Sequence, residues 1–210
     1  MHPIFQKLAE MRIVPVIVIK DVSKAIPLAK ALCDGGLPCA EITFRTAEAA
    51  AAIRAITKEF PDMLVGAGTV LSPQQADEAI SAGAKFMVAP GFNPETVKHC
   101  QAKGVPMLPG VCTPSEIEMG LSLGVEILKF FPAEAAGGVN MLKALSAPYG
   151  KVKFVPTGGL TASNLPNYLA IKSVLACGGS WMVKDELIAA GDFAKITELT
   201  REAVALAKSL

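Results

Sequence analysis

The feature that most constrains this chain is a recurrence. Short apolar, β-branched stretches occupy residues 13–19, 40–44, 64–67, 86–89, 105–108, 127–131, 152–155 and 173–176, with starts roughly 20 to 27 residues apart. That interval accommodates one strand, a loop, a helix and a return turn. The intervening segments carry helix-start chemistry. Ser72-Pro73-Gln74-Gln75 and Thr113-Pro114-Ser115-Glu116 each place a hydroxyl at the N-cap, proline at the first helical position and Gln or Glu three residues after the cap. Asn93-Pro94-Glu95 repeats the arrangement, and glycine closes the predicted helices at Gly35-Gly36, Gly83, Gly104 and Gly124. Eight βα units in succession imply parallel strands with right-handed crossovers, which close most simply into a (β/α)8 barrel. No composition break or Ser/Pro-rich linker divides the chain, so one domain is expected over residues 1–210, with residues 1–12 forming an extra helix over the barrel floor. A doubly wound open sheet is disfavoured, because no GxGxxG follows the first strand.

Composition removes other classes. Twenty basic residues face 19 acidic ones for a net charge of +1, which leaves no basic footprint for nucleic acid. The apolar fraction of 51% calls for a membrane span or for extensive burial. The longest apolar run, residues 13–19, contains Pro15, lies between Arg12 and Lys20, and falls far short of the roughly 20 residues a spanning helix needs. A cytoplasmic protein with no membrane partner is therefore expected, its surplus apolar surface packed against copies of itself. Cys33, Cys39, Cys100, Cys112 and Cys177 form an odd set without a CxxC pair and read as reduced core residues.

In a barrel of this kind, function sits at the carboxyl ends of the strands. In residues 40–45, a period of two puts Glu41, Thr43 and Arg45 on one face and Ala40, Ile42 and Phe44 on the other. The apolar face must meet the helices, which aims Glu41 and Arg45 inward. A buried Glu41–Arg45 pair retained for specificity is the structural alternative to catalysis. In residues 127–132, Lys129 is embedded among Ile127, Leu128, Phe130 and Phe131. Burial disfavours the charged form of an amine, and a neutral amine attacks ketones to form a Schiff base. A snorkelling lysine, or one paired with Glu41, is the bland alternative. Thr157-Gly158-Gly159 and Cys177-Gly178-Gly179-Ser180 follow the last two predicted strands, where backbone N–H groups and the Ser180 hydroxyl suit a phosphate. Thr69 and Pro90 lie at the ends of the third and fourth strands. His2 and His99 lie at no strand end, so no metal is expected.

These residues carry a resemblance. Residues 36–45, containing Glu41-Ile42-Thr43-Phe44-Arg45, resemble the active-site glutamate motif of the 2-keto-3-deoxy-6-phosphogluconate / 4-hydroxy-2-oxoglutarate aldolases, and Lys129-Phe130-Phe131-Pro132-Ala133-Glu134 is similar to their Schiff-base motif. GAGTV at 66–70, LPGV at 108–111, PTGG at 156–159 and CGGSW at 177–181 extend the likeness over nearly the whole chain. The resemblance implies a metal-free class I aldolase, usually a homotrimer, acting on a small phosphorylated keto acid. It implies Lys129 as Schiff-base lysine and Glu41 as general acid/base. Arg45 and Thr69 would hold the pyruvyl carboxylate, Pro90, Phe131 and Thr157 would line the site, and Gly158, Gly159, Gly179 and Ser180 would receive the phosphate. A sister branch acting on the phosphogalactonate epimer tends to lack Thr43 and Arg45, so their presence favours the gluconate branch. A phosphosugar isomerase or epimerase, or a non-catalytic binder of phosphorylated acids, are the readings from other classes.

Overall fold

The computed structural model describes residues 1–209. Helix α1 (Pro3–Met11) leads into β1 (Ile13–Ile17), and the chain then alternates through α2 (Ala25–Asp34), β2 (Cys39–Thr43), α3 (Ala49–Glu59), β3 (Leu64–Gly68), α4 (Pro73–Ser81), β4 (Met87–Val88) and α5 (Pro94–Ala102). The second half runs through β5 (Met107–Leu108), β6 (Gly110–Val111), α6 (Pro114–Ser122), β7 (Ile127–Phe130), α7 (Gly138–Ser146), β8 (Lys153–Pro156), α8 (Leu165–Leu169) and β9 (Cys177–Gly179), and ends in α9 (Asp185–Ala190) and α10 (Phe193–Lys208). No helix among the described residues is long and apolar enough to cross a membrane.

The helix boundaries follow from local chemistry. Ser72, Asn93 and Thr113 cap α4, α5 and α6 with their side chains, each with proline in the first turn. At α6 the box is reciprocal: Glu116 N–H donates to Thr113 Oγ1 at 3.4 Å, and Thr113 N–H donates to the Glu116 carboxylate at 2.8 Å. At α4 the returning contact is shifted by one residue, with Leu71 N–H donating to Gln75 Oε1 at 2.7 Å. Left-handed glycines turn the chain out of several helices. At Gly83 (φ +103) a Cβ would also stand 2.7 Å from Thr57 Oγ1, so backbone and packing both require glycine.

Every strand pairing is parallel. The order β5-β4-β3-β2-β1-β9 forms one sheet and β6-β7-β8 another. Only Pro109 separates β5 from β6, and its carbonyl accepts a hydrogen bond from Lys129 N–H at 2.9 Å. Isolated parallel bridges join Phe154 to Val174 and Thr157 to Gly178. The result is an α/β fold around a curled parallel sheet. Its core is aliphatic and aromatic, with Leu8, Ile13, Ile17, Leu28, Phe86, Phe130 and Phe154 fully buried. Cys39, Cys100 and Cys177 are buried within it, Cys33 and Cys112 are half-buried, and all five are free thiols.

One strand lies elsewhere than expected. The last strand is Cys177–Gly179, not residues 173–176, and pairs with Ile13, Val14 and Pro15. Glycine's poor strand propensity hides it in the sequence, but close approach explains why glycine is there. A Cβ on Gly178 would stand 2.3 Å from Thr157 Oγ1, and one on Gly179 would stand 1.9 Å from the Trp181 ring. The residues expected to form a loop after the strand are therefore the strand itself.

Candidate active site

Two charged side chains lie inside this core. Lys129 on β7 is 5% exposed and Glu41 on β2 is 3% exposed, with Lys129 Nζ 3.6 Å from Glu41 Oε1. At that separation the two attract without forming a hydrogen bond. Glu41 Oε1 has no hydrogen-bond partner among the described residues, an expensive state for a buried oxygen. Room for it comes from β3, where a Cβ on Gly68 would stand 2.2 Å from that same atom. Gly66 accommodates the Phe86 ring in the same way, with a Cβ-to-ring distance of 2.4 Å. Lys129 Nζ also lies 5.1 Å from the centroid of the Phe131 ring, which covers one side of the amine.

The buried Glu41–Arg45 pair, the structural alternative to catalysis, is not formed. β2 ends at Thr43, whose hydroxyl donates to Ile17 O at 2.9 Å, and Arg45 lies exposed in the turn beyond. There Arg45 Nε donates to Thr69 Oγ1 at 3.4 Å. Thr69 itself takes a left-handed backbone (φ 56), a conformation that carries strain for a β-branched residue.

Arg45, Phe131, Thr157, Gly158, Gly159, Gly179 and Ser180 line one cavity of about 310 Å³ beside the strand ends. Of the remaining expected residues, Lys129 lies against the Phe131 ring with Glu41 beside it, and Thr69 joins through Arg45. Pro90 lies against the strand that pairs with Lys129: a Cβ on Gly110, the register partner of Lys129, would stand 2.0 Å from Pro90 O. Sequence reasoning misses Val16, Val18, Leu160 and Asp185, which share the cavity wall. The position of Val16 and Val18 at the carboxyl end of β1 is a usable signal. Asp185, beyond the glycine segment, has none. The cavity thus combines a guanidinium, a glycine-lined surface and a buried amine–carboxylate pair alongside.

A family model described as "Aldolase: KDPG and KHG aldolase" matches residues 4–199, a span that contains every one of these residues. The chain belongs to the KDPG and KHG aldolase family. Among similar relatives, the 2-dehydro-3-deoxy-phosphogluconate aldolase of Treponema pallidum is 52% identical over 96% of each chain. The KHG/KDPG aldolase of Escherichia coli K12 is 50% identical over 93% of this chain and 92% of its own. Among solved structures, the KDPG aldolase of Legionella pneumophila superposes with a TM-score of 0.92 at 43% identity, covering 96% of this chain and 97% of that one. That protein holds pyruvate captured at low pH as a covalent carbinolamine intermediate. In this member of the KDPG and KHG aldolase family, the two histidines lie away from the cavity. His2 caps α1, and His99 Nε2 contacts Asp77 Oδ1 at 2.9 Å on the outer helices.

Proposed function

We propose that this chain is a class I aldolase that cleaves 2-keto-3-deoxy-6-phosphogluconate to pyruvate and glyceraldehyde 3-phosphate through an imine on Lys129. The observation that carries the reading is the buried Lys129–Glu41 pair, 3.6 Å apart, next to the Arg45 and glycine cavity. Lys129 gives a proton to Glu41 and attacks the C2 ketone as the free amine; that proton then passes to the carbinolamine hydroxyl, which leaves as water, and a protonated imine remains with Glu41 again a carboxylate. Glu41, acting through a water, takes the C4 hydroxyl proton as the C3–C4 bond breaks. The bonding electrons pass into an enamine stabilised by the imine nitrogen, and the C4 fragment leaves as an aldehyde. Glu41 returns a proton to C3, and hydrolysis of the imine frees pyruvate and restores the amine. Because the imine is the electron sink, no metal or organic cofactor is required.

Arg45 binds the pyruvyl carboxylate with Thr69 as its neighbour, fixing the ketone within reach of Lys129. Thr157, Phe131 and Pro90 line the site, and Gly158, Gly159, Gly179 and Ser180 receive the phosphate. The presence of Thr43 and Arg45 supports the gluconate over the phosphogalactonate substrate, and 4-hydroxy-2-oxoglutarate is a second substrate yielding glyoxylate. The bridges at Thr157–Gly178 and Phe154–Val174, with the continuity across Pro109, support a single closed (β/α)8 barrel. Phe5 and Leu8, both buried, support α1 as the cover of its floor. We further propose a cytoplasmic homotrimer, which the mean hydropathy of +0.43 supports by calling for apolar surface shared between subunits.

Borohydride added with pyruvate tests the chemistry. The reduced adduct is expected as a lactyl-type mass on the peptide containing Lys129; labelling elsewhere, or none, overturns it. An isomerase would show no adduct and would epimerise the substrate instead. A coupled assay of pyruvate release from the three keto acids then ranks them.

A further inference from the structure

The cavity assigned to phosphate also contains a carboxylate. Asp185, at the start of α9, lines the same cavity as Gly158, Gly159, Gly179 and Ser180, while the cavity's one cationic side chain among the described residues, Arg45, is assigned to the other end of the substrate. An unbalanced carboxylate there repels a phosphate dianion. It is balanced from across the rim: Lys20 Nζ contacts Asp185 Oδ2 at 2.8 Å. Val18 and Asp185 are shared between this cavity and an adjoining hollow lined by Lys20, Asp21, Lys24 and Ile188, which brings the Lys20 side chain to the rim. Asp21 is occupied with Ser23 N–H at 2.9 Å, leaving Asp185 as the carboxylate that Lys20 engages.

We propose that the Lys20–Asp185 pair sets the selectivity of this aldolase for phosphorylated over unphosphorylated substrates. The selectivity rests on the phosphate site described above. There the glycine amides and Ser180 supply hydrogen bonds, and Lys20 supplies the charge that makes the rim tolerant of a dianion. Lys20 does so by neutralising Asp185. Both side chains are more than half exposed, so the coupling is screened. Its signature is therefore a shift in KM, with the chemical step on Lys129 untouched.

The test compares the six-carbon keto acid with and without its 6-phosphate, at low ionic strength, in the wild type, Lys20→Met, Asp185→Asn and the double variant. Lys20→Met is expected to raise KM for the phosphorylated acid about fivefold while changing kcat, and KM for the unphosphorylated acid, less than about twofold. Asp185→Asn is expected to lower KM for the phosphorylated acid. The double variant is expected to return it to the wild-type value or below, because a neutral amide at that position leaves no charge for Lys20 to balance. A KM ratio between the two acids that stays within about twofold of wild type in both single variants overturns the proposal, as does an equal rise for both acids. Failure of the wild type to cleave either acid overturns instead the aldolase reading on which it rests.

Discussion

A Cβ on Gly68 would stand 2.2 Å from Glu41 Oε1, so the third strand leaves space that the second strand's carboxylate fills. Gly68→Ala must therefore push Glu41 away from its place beside Lys129. Because Gly68 has an ordinary strand backbone, the effect comes from crowding rather than from main-chain strain. The variant is expected to remain folded, with overpacking costing about 1 to 3 kcal/mol in a denaturant titration. Its cleavage rate should fall by about tenfold or more, because the displaced group is the proposed acid/base. Wild-type turnover in a folded Gly68→Ala protein would remove Glu41 from the reaction.

Glu41→Gln separates the two halves of the proposed chemistry. The amide matches the carboxylate in shape but neither takes nor returns the proton, so cleavage should fall by about a hundredfold or more. Trapping of pyruvate on Lys129 with borohydride should persist in part, because the amine is still present while its neighbouring proton donor is lost. The comparison to make is single-turnover cleavage against adduct mass in the same preparation.

Much of this arrangement is legible in the residues, and the remainder is hidden for identifiable reasons. Ser72, Asn93 and Thr113 announce their helices because capping is local chemistry that needs no tertiary partner. Lys129 stands out because a lysine flanked by large apolar residues contradicts its surroundings. β9 is hard to place because its residues answer to close approach by Thr157 and Trp181, a requirement visible only once those side chains are in position. The period of two correctly groups Glu41 with Thr43, but β2 ends at Thr43, and that end puts Arg45 at the mouth rather than in the interior. Asp185 escapes notice because its place on the cavity wall depends on how the chain turns after Trp181.

Arg45→Ala should act on binding. Loss of a charge-assisted contact to a carboxylate is expected to raise KM for the keto acid about tenfold, with a smaller effect on kcat. Steady-state kinetics with each keto acid give the measurement, and an unchanged KM would contradict the placement of the carboxylate at Arg45.

A pH-dependent contribution to stability is expected on the outer helices. Asp77 on α4 is held below its ordinary carboxyl value of 3.8 chiefly by hydrogen bonding from His99, and also by Lys103. A carboxyl whose folded value is depressed stabilises the fold fully above its unfolded value, and loses that contribution as the pH falls through the folded one. Asp77→Asn should therefore melt earlier than wild type near neutral pH. The two melting temperatures should converge as the pH drops below the usual carboxylate range. A difference that stays constant down to strongly acidic pH would assign the effect to packing instead of charge.

Gly158 and Gly159 both adopt left-handed backbones, at φ +104 and +80, and what they offer the cavity is peptide amide rather than side chain. Every amino acid except proline carries that N–H, so a codon change at these positions distorts the curve of the chain without rewriting what it displays. Divergence in what such a protein accepts is thereby channelled toward its rim, where side chains can be exchanged one at a time without disturbing the loop. An engineer seeking a different aldehyde partner has the same choice, and the productive library is one that varies Val18, Leu160 and Asp185 and leaves the glycines alone.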